Sequence, residues 1–179
     1  MRKVLAFIML MVFSVFSFAG CSKPSQEIGP EAPVTMEQVN TDGQYVARAY
    51  IESLFTDNRA MFEKCYPEGF LDKLGRASNS DLYDQYRSVM NINSTVLGTA
   101  SAGHKDYTME NGFDEAGMRA SICMITGLDY SAVGLIQIQK VKVFFSNGQE
   151  SMASDFIYIV FESNGSWYML ESYQSDAEF

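Results

Sequence analysis

The last third of the chain has little freedom in what it can fold into. Three runs rich in Val, Ile, Phe and Tyr, at 132–145, 151–162 and 167–173, are separated by Ser146-Asn147-Gly148 and by Asn164-Gly165. Asn-Gly readily takes positive φ at both positions, as a two-residue turn between right-twisted antiparallel strands requires. β-branched and aromatic residues suit a pleated, half-buried surface. Together these residues predict a C-terminal three-stranded antiparallel meander. In the first run the apolar positions are even at Ile136 and Ile138, then odd at Val141, Val143 and Phe145. Successive side chains point to opposite faces, so this change of parity predicts a β-bulge near Gln139-Lys140. The second run is apolar at both parities, with Phe156, Tyr158 and Val160 against Ile157, Ile159 and Phe161. That places it centrally, with part of both faces covered.

Upstream the apolar spacing is helical. Asp42-Gly43 opens a helix with Tyr45, Val46, Ala49, Tyr50, Ser53 and Leu54 on its apolar side and Arg48 and Glu52 on its polar side. Thr56-Asp57 can cap a second helix carrying Met61, Phe62, Cys65 and Tyr66, ended by Pro67. Phe70, Leu71 and Leu74 make a short turn closed by Gly75. Ser78-Asn79-Ser80 then offers caps for a third helix with Leu82, Tyr86, Val89 and Met90. Ser94 to about Met109 reads as a strand, and Asn111-Gly112 as a break. Asp114 to about Ile125 reads as a short helix, with Met118, Ile122 and Ile125 inward and Gly127 at its end. Helices first and an antiparallel sheet after them define an α+β fold.

The opening stretch is of a different kind. Arg2 and Lys3 precede an apolar run from Val4 to Phe18, too short for a comfortable membrane span, and small residues then lead into Cys21. Phe18-Ala19-Gly20-Cys21 resembles the bacterial lipobox, with Phe18 where leucine is usual. The resemblance implies cleavage before Cys21, a diacylglycerol on its thiol, and a mature protein held by its lipid on the outer face of the cell membrane. In a cell with two membranes the outer membrane is open to it, since Ser22 is not the aspartate that retains many such proteins at the inner one. The rival reading is ordinary secretory cleavage after Ala19, which would release a soluble protein. The expected organisation is a signal peptide at 1–20, the lipidated cysteine and a Pro-rich flexible tether at 21–40, and a single α+β domain at 41–179.

Cleavage removes two basic residues and no acidic ones, leaving eleven basic against 22 acidic residues and a net charge of −11. Such a chain is repelled by phosphate backbones, so nucleic acid is a poor partner. Cys65 and Cys123 remain after lipidation of Cys21, and an exported protein permits a disulfide between them; two buried free thiols are the alternative. No Cys/His spacing suits zinc, no EF-hand spacing surrounds Asp114-Glu115, and no glycine-rich phosphate loop or Gly-x-Ser-x-Gly elbow is present, so no metal or cofactor is expected. The one histidine, His104, has Asp106 two residues on. On a strand both would share a face, where a carboxylate can orient an imidazole and raise its basicity. A solvated strand end is the plainer reading of the same residues.

Tyr45-Val46-Ala47-Arg48-Ala49-Tyr50, Tyr66-Pro67-Glu68-Gly69-Phe70 and Gly165-Ser166-Trp167-Tyr168-Met169-Leu170 resemble segments of the nuclear-transport-factor-two-like, cystatin-like superfamily, in particular its small exported bacterial lipoproteins. The resemblance, over about residues 41 to 175, implies a curved sheet wrapped round a helix into a cone-shaped roll, often with a pocket and frequently a homodimer. It fixes no reaction, since this fold hosts enzymes and binding proteins alike. Two expectations follow. The first is a membrane-anchored domain without catalytic activity, binding a small molecule or an envelope protein. The second is a small enzyme of isomerase or dehydratase kind, using His104 and Asp106 on a guest in the cone.

Overall fold

The structure is a computed structural model that describes residues 29–73, 81–89, 95–106, 114–146 and 150–170; of Val89 and of residues 102–106 it describes the backbone alone. Its elements run α1 (Gly43–Phe55), α2 (Arg59–Lys64), α3 (Leu82–Val89), β1 (Thr95–Asp106), α4 (Glu115–Thr126), a 3-10 turn at Tyr130–Ala132, β2 (Val133–Ser146), β3 (Ser151–Ser163) and β4 (Ser166–Met169). The four strands form one antiparallel sheet in the order β1-β2-β3-β4. The fold is the expected α+β roll, helices followed by a curled antiparallel sheet with a C-terminal meander. Asn164 and Gly165 have φ of 52° and 78° in the turn between β3 and β4, the left-handed pair that their sequence predicts. The expected bend at Ser146-Asn147-Gly148 lies partly outside the described residues.

The first three helices start where a short polar side chain satisfies a free amide, whereas Asp114 at the start of α4 makes no such bond. Asp42 Oδ1 accepts from Gln44 N (2.9 Å) at the start of α1. Asn58 Oδ1, not Thr56 or Asp57, accepts from Met61 N (3.1 Å) at the start of α2. Asp57 instead takes a positive φ of 56° between the two helices. The caps expected at Ser78-Asn79-Ser80 lie outside the described residues; Asp81 Oδ1 accepts from Asp84 N (3.1 Å) as α3 begins. α4 ends on Gly127 in the left-handed conformation (φ 78°), with its amide returned to Cys123 O.

The sheet is covered on both faces by different elements. On one face Val141, Val143, Phe145, Tyr158, Val160 and Met169 pack with the apolar side of α1 and with Phe62, Tyr66 and Phe70. On the other, Ile136, Ile138, Ile159 and Phe161 pack with Ile122 of α4 and with Leu170. α1 sits directly on its face: a Cβ on Gly43 would come within 2.9 Å of the side chains of Gln137 and Gln139.

This arrangement corrects the bulge expected at Gln139-Lys140. β2 pairs β3 without interruption from Ile136↔Phe161 to Ser146↔Ser151. The parity of the apolar residues changes because α4 covers the even side of the first half of β2 while α1 covers the odd side of the second half. The irregularity opposite this point is in β1, where three steps from Ser101 to His104 match two from Val141 to Gln139. β3 is central, as expected, but apolar cover on both faces is confined to its second half: Ile157 is 45% exposed.

The folded domain also begins earlier than residue 41. Val34 and Val39 are buried in the core with α1, and Lys64 Nζ donates to Met36 O (2.5 Å). Asn40 Nδ2 donates to Trp167 O (2.7 Å) and Asn40 O accepts from Trp167 N (3.0 Å), fastening this segment to the outer edge of β4. The Pro-rich composition suggested a tether throughout, yet two valines and a few backbone contacts suffice to order the part of it next to the helix.

Candidate functional site

Arg48 and Glu52 stand one helical turn apart on α1, the spacing of an ordinary solvated ion pair. They are only 2% and 9% exposed, which corrects their placement on a polar, outward side. Residues 30–34 cross over them. Arg48 Nε donates to Thr99 Oγ1 (3.1 Å), Nη1 to Glu31 Oε2 (2.5 Å), and Nη2 to Ala32 O (2.6 Å) and Glu52 Oε1 (3.3 Å). The Thr99 hydroxyl in turn donates to Glu52 Oε1. Glu52 Oε2 accepts from Val34 N (2.8 Å), and Glu31 Oε1 from Ser101 N (3.1 Å). Glu31 N donates to Thr99 O (2.9 Å), so the segment lies along β1 as well as on α1.

The result is a polar clasp in which one guanidinium holds two carboxylates, a hydroxyl and a carbonyl. A buried charge is tolerable only when so completely paired. Gly98 makes the crossing feasible, since a Cβ there would stand 2.8 Å from Pro30 Cβ.

Beside the clasp lies an open cleft of about 870 Å³ between the end of α1, α3 and the start of β1. Leu54, Phe55, Val96 and Leu97 supply apolar wall; Glu31, Asp84 and Arg87 supply charge. Its volume falls in the range of small-molecule clefts, although it stands open to solvent and its lining is more polar than such clefts usually are. Arg87 is already engaged with Asp57, which also accepts from the Tyr83 hydroxyl (2.9 Å). That hydroxyl above all, and Arg87 after it, hold the Asp57 carboxyl below the usual carboxylate range.

Under the concave sheet, by contrast, space is taken by side chains. Tyr50 stands edge-on to Tyr158 (5.3 Å between ring centroids), to Tyr66 and to Tyr86, and Tyr66 stacks on Phe70 at 5.3 Å. Tyr158 OH and Gln139 Oε1 are buried here without a hydrogen-bond partner among the described residues. Burial, and then the neighbouring Tyr50, push the Tyr158 hydroxyl well above its ordinary pKa.

The residues singled out from the sequence are dispersed. Cys21 lies outside the described residues. His104 and Asp106 sit on the last part of β1, opposite Gln139 and Gln137 in register; their side chains lie outside the description. Cys65 is fully buried and its thiol donates to Met61 O (3.2 Å), and burial pushes its pKa up. Cys123 is half-buried on α4. Both thiols are free. The disulfide considered for them does not form because Cys65 belongs to the core of one sheet face and Cys123 packs against that of the other.

Asp114 occupies the cap position of α4, and Glu115 pairs with Arg119 (2.8 Å) one turn on, so both act as charges at a helix start. The clasp was not foreseen. Its sequence signal, a charged i,i+4 pair flanked on both sides by apolar residues, could have raised it. Comparison of the chain with protein-family models, with curated proteins and with solved structures finds no match.

Proposed function

We infer that the chain is a lipid-anchored extracytoplasmic binding domain, held by Cys21 and without catalytic activity of its own. The targeting stretch and the Gly20-Cys21 pair support export and anchoring. Two acyl chains on that cysteine would hold the protein firmly at the membrane.

One observation carries the binding reading. The 870 Å³ cleft opens where the chain coming from the anchor enters the domain, and Glu31, Pro33 and Glu52 line it. Glu31 and Glu52 are also members of the clasp. The clasp fixes that entry at residues 30–34, which leaves at most residues 22–29 between anchor and domain. Eight residues span at most roughly 29 Å. The cleft therefore stays within a short, fixed reach of the bilayer surface, and its apolar wall with a charged rim suits a small amphipathic molecule.

The test has two arms. Cys21→Ser should take up no labelled fatty acid and should leave the membrane fraction; acylation and membrane retention in that variant would overturn the anchoring. Leu97→Trp, at an exposed cleft position, should leave the fold intact and block saturable uptake of a spin-labelled amphiphile. Uptake equal to that of the parent chain would remove the cleft from the proposal.

A further inference from the structure

The two carboxylates of the clasp are held differently. Glu52 belongs to α1, its side chain is 11% exposed, and Val34 N, Arg48 Nη2 and the Thr99 hydroxyl all donate to it. Glu31 comes from the crossing segment, and its side chain is 45% exposed. It accepts from Arg48 Nη1 (2.5 Å) on Oε2 and from Ser101 N (3.1 Å) on Oε1. One guanidinium N–H and one backbone N–H aimed at the two oxygens of a single carboxylate make a two-point anion site.

The Glu31 side chain is not what keeps the segment in place. The main chain there has bonds of its own: Glu31 N to Thr99 O (2.9 Å), Arg48 Nη2 to Ala32 O (2.6 Å) and Val34 N to Glu52 Oε2 (2.8 Å). Rotation of one half-exposed side chain therefore uncovers the site while the crossing stays where it is. Glu31 and Glu52 also line the cleft, so the uncovered N–H groups stand one carboxylate behind its wall.

Charge selects what can take that place. Arg48 is one cation facing two carboxylates, and exchanging Glu31 for the carboxylate of a ligand leaves that balance unchanged. A doubly charged phosphate would add an uncompensated charge beside the buried Glu52, and a neutral head would leave the guanidinium short of a partner. A carboxylate tethered as Glu31 is competes at an effective concentration on the order of millimolar. A ligand must therefore bring binding energy from elsewhere, and the cleft offers Leu54, Phe55, Val96 and Leu97.

The geometry points to a carboxylate subsite, formed by Arg48 Nη1 and Ser101 N, that Glu31 fills until the head of an amphiphilic carboxylate of fatty-acid kind displaces it. The tail lies on the apolar wall of the cleft. The tail rests on the cleft reading above; the head does not.

The head is tested by Glu31→Ala in the full chain, read by amide exchange. Ser101 N should exchange about tenfold faster than in the parent, the worth of one charge-assisted hydrogen bond. Propionate should restore its protection, and propionamide at the same ionic strength should not. Val34 N, bonded to Glu52, should stay protected throughout. Faster exchange at Ser101 and Val34 together, with no response to propionate, would show that Glu31 only fastens the segment and would overturn the proposal.

The tail is tested by displacement of the spin-labelled amphiphile from the same two chains. Dodecanoate should displace it at lower concentration than dodecanol, and the ratio should grow about tenfold in Glu31→Ala, where no tethered carboxylate competes. Equal displacement by the two in both chains, with the amphiphile still bound, would overturn the subsite and leave the cleft standing. Rescue by propionate with no uptake of any amphiphile would support the subsite and remove the cleft.

Discussion

The two faces of the sheet are built on different principles. The α1 face is large, aromatic and partly polar: Tyr50, Phe62, Tyr66 and Phe70 meet ring to ring, and a buried guanidinium closes one side of it. The α4 face is small and mostly aliphatic, resting on Ile122, Ile136, Ile138 and Ile159. Met124 on the far side of α4 is 80% exposed. The difference teaches where specificity resides. Aliphatic side chains can repack with little loss of stability, whereas T-shaped rings and a network that engages four of the five guanidinium N–H groups accept one arrangement.

Substitutions can break that comparison or sharpen it. Arg48→Ala removes the cation and leaves Glu52 buried beside Thr99. We expect a loss of about 4 kcal/mol in urea denaturation, with residues 30–34 becoming open to proteolysis. Phe62→Ala should cost a similar amount, about 4 kcal/mol, and lower the midpoint of the whole domain. Ile122→Ala should cost less, about 3 kcal/mol, and amide exchange should quicken in α4 before it does in α1. If α1 loosens equally in that variant, the two faces are one cooperative unit and the comparison fails.

Tyr158→Phe tests the polar side of the argument. Deleting a buried hydroxyl that has no described partner should raise stability by about 1 kcal/mol; a loss instead would mean that the hydroxyl is satisfied. The smallest effect is expected from acid. Hydrogen bonds from Tyr83 to Asp57 and from Arg59 to Asp81 hold both carboxyls below their ordinary values. Their contribution is full above the unfolded carboxylate pKa, about 4, and disappears as pH falls through the depressed folded values. A urea midpoint that holds down to about pH 5 and falls below it, more weakly in high salt, is the expected record.

The strands of the meander and its turn at Asn164-Gly165 were legible because that pair and the Val/Ile/Phe runs are local signals. α1 and α4 were legible through Asp42, Gly127 and helical spacing. What escaped depends on residues far apart in sequence. A parity change at Gln139-Lys140 looks identical whether a strand bulges or two helices cover opposite faces of its two halves. Arg48 and Glu52 look solvated until Glu31 and Thr99, 17 and 51 residues from Arg48, arrive to enclose them. Val34 and Val39 are too few to lift a Pro-rich stretch out of a tether by composition, yet each lands in the core.

The clasp has a mechanical meaning as well. In a chain anchored by Cys21, any drag on the domain is transmitted through the segment that enters it, and among the described residues Glu31 and Ala32 are the first bound to the body of the fold. Tension at the N-terminus is shared at Glu31 between Arg48 and the backbone of β1 at Thr99 and Ser101. Under an applied pull the domain should first give up residues 30–34, lengthen its leash, and keep its aromatic core intact. That makes the clasp, together with its bonds to β1, the link that yields first and protects the rest.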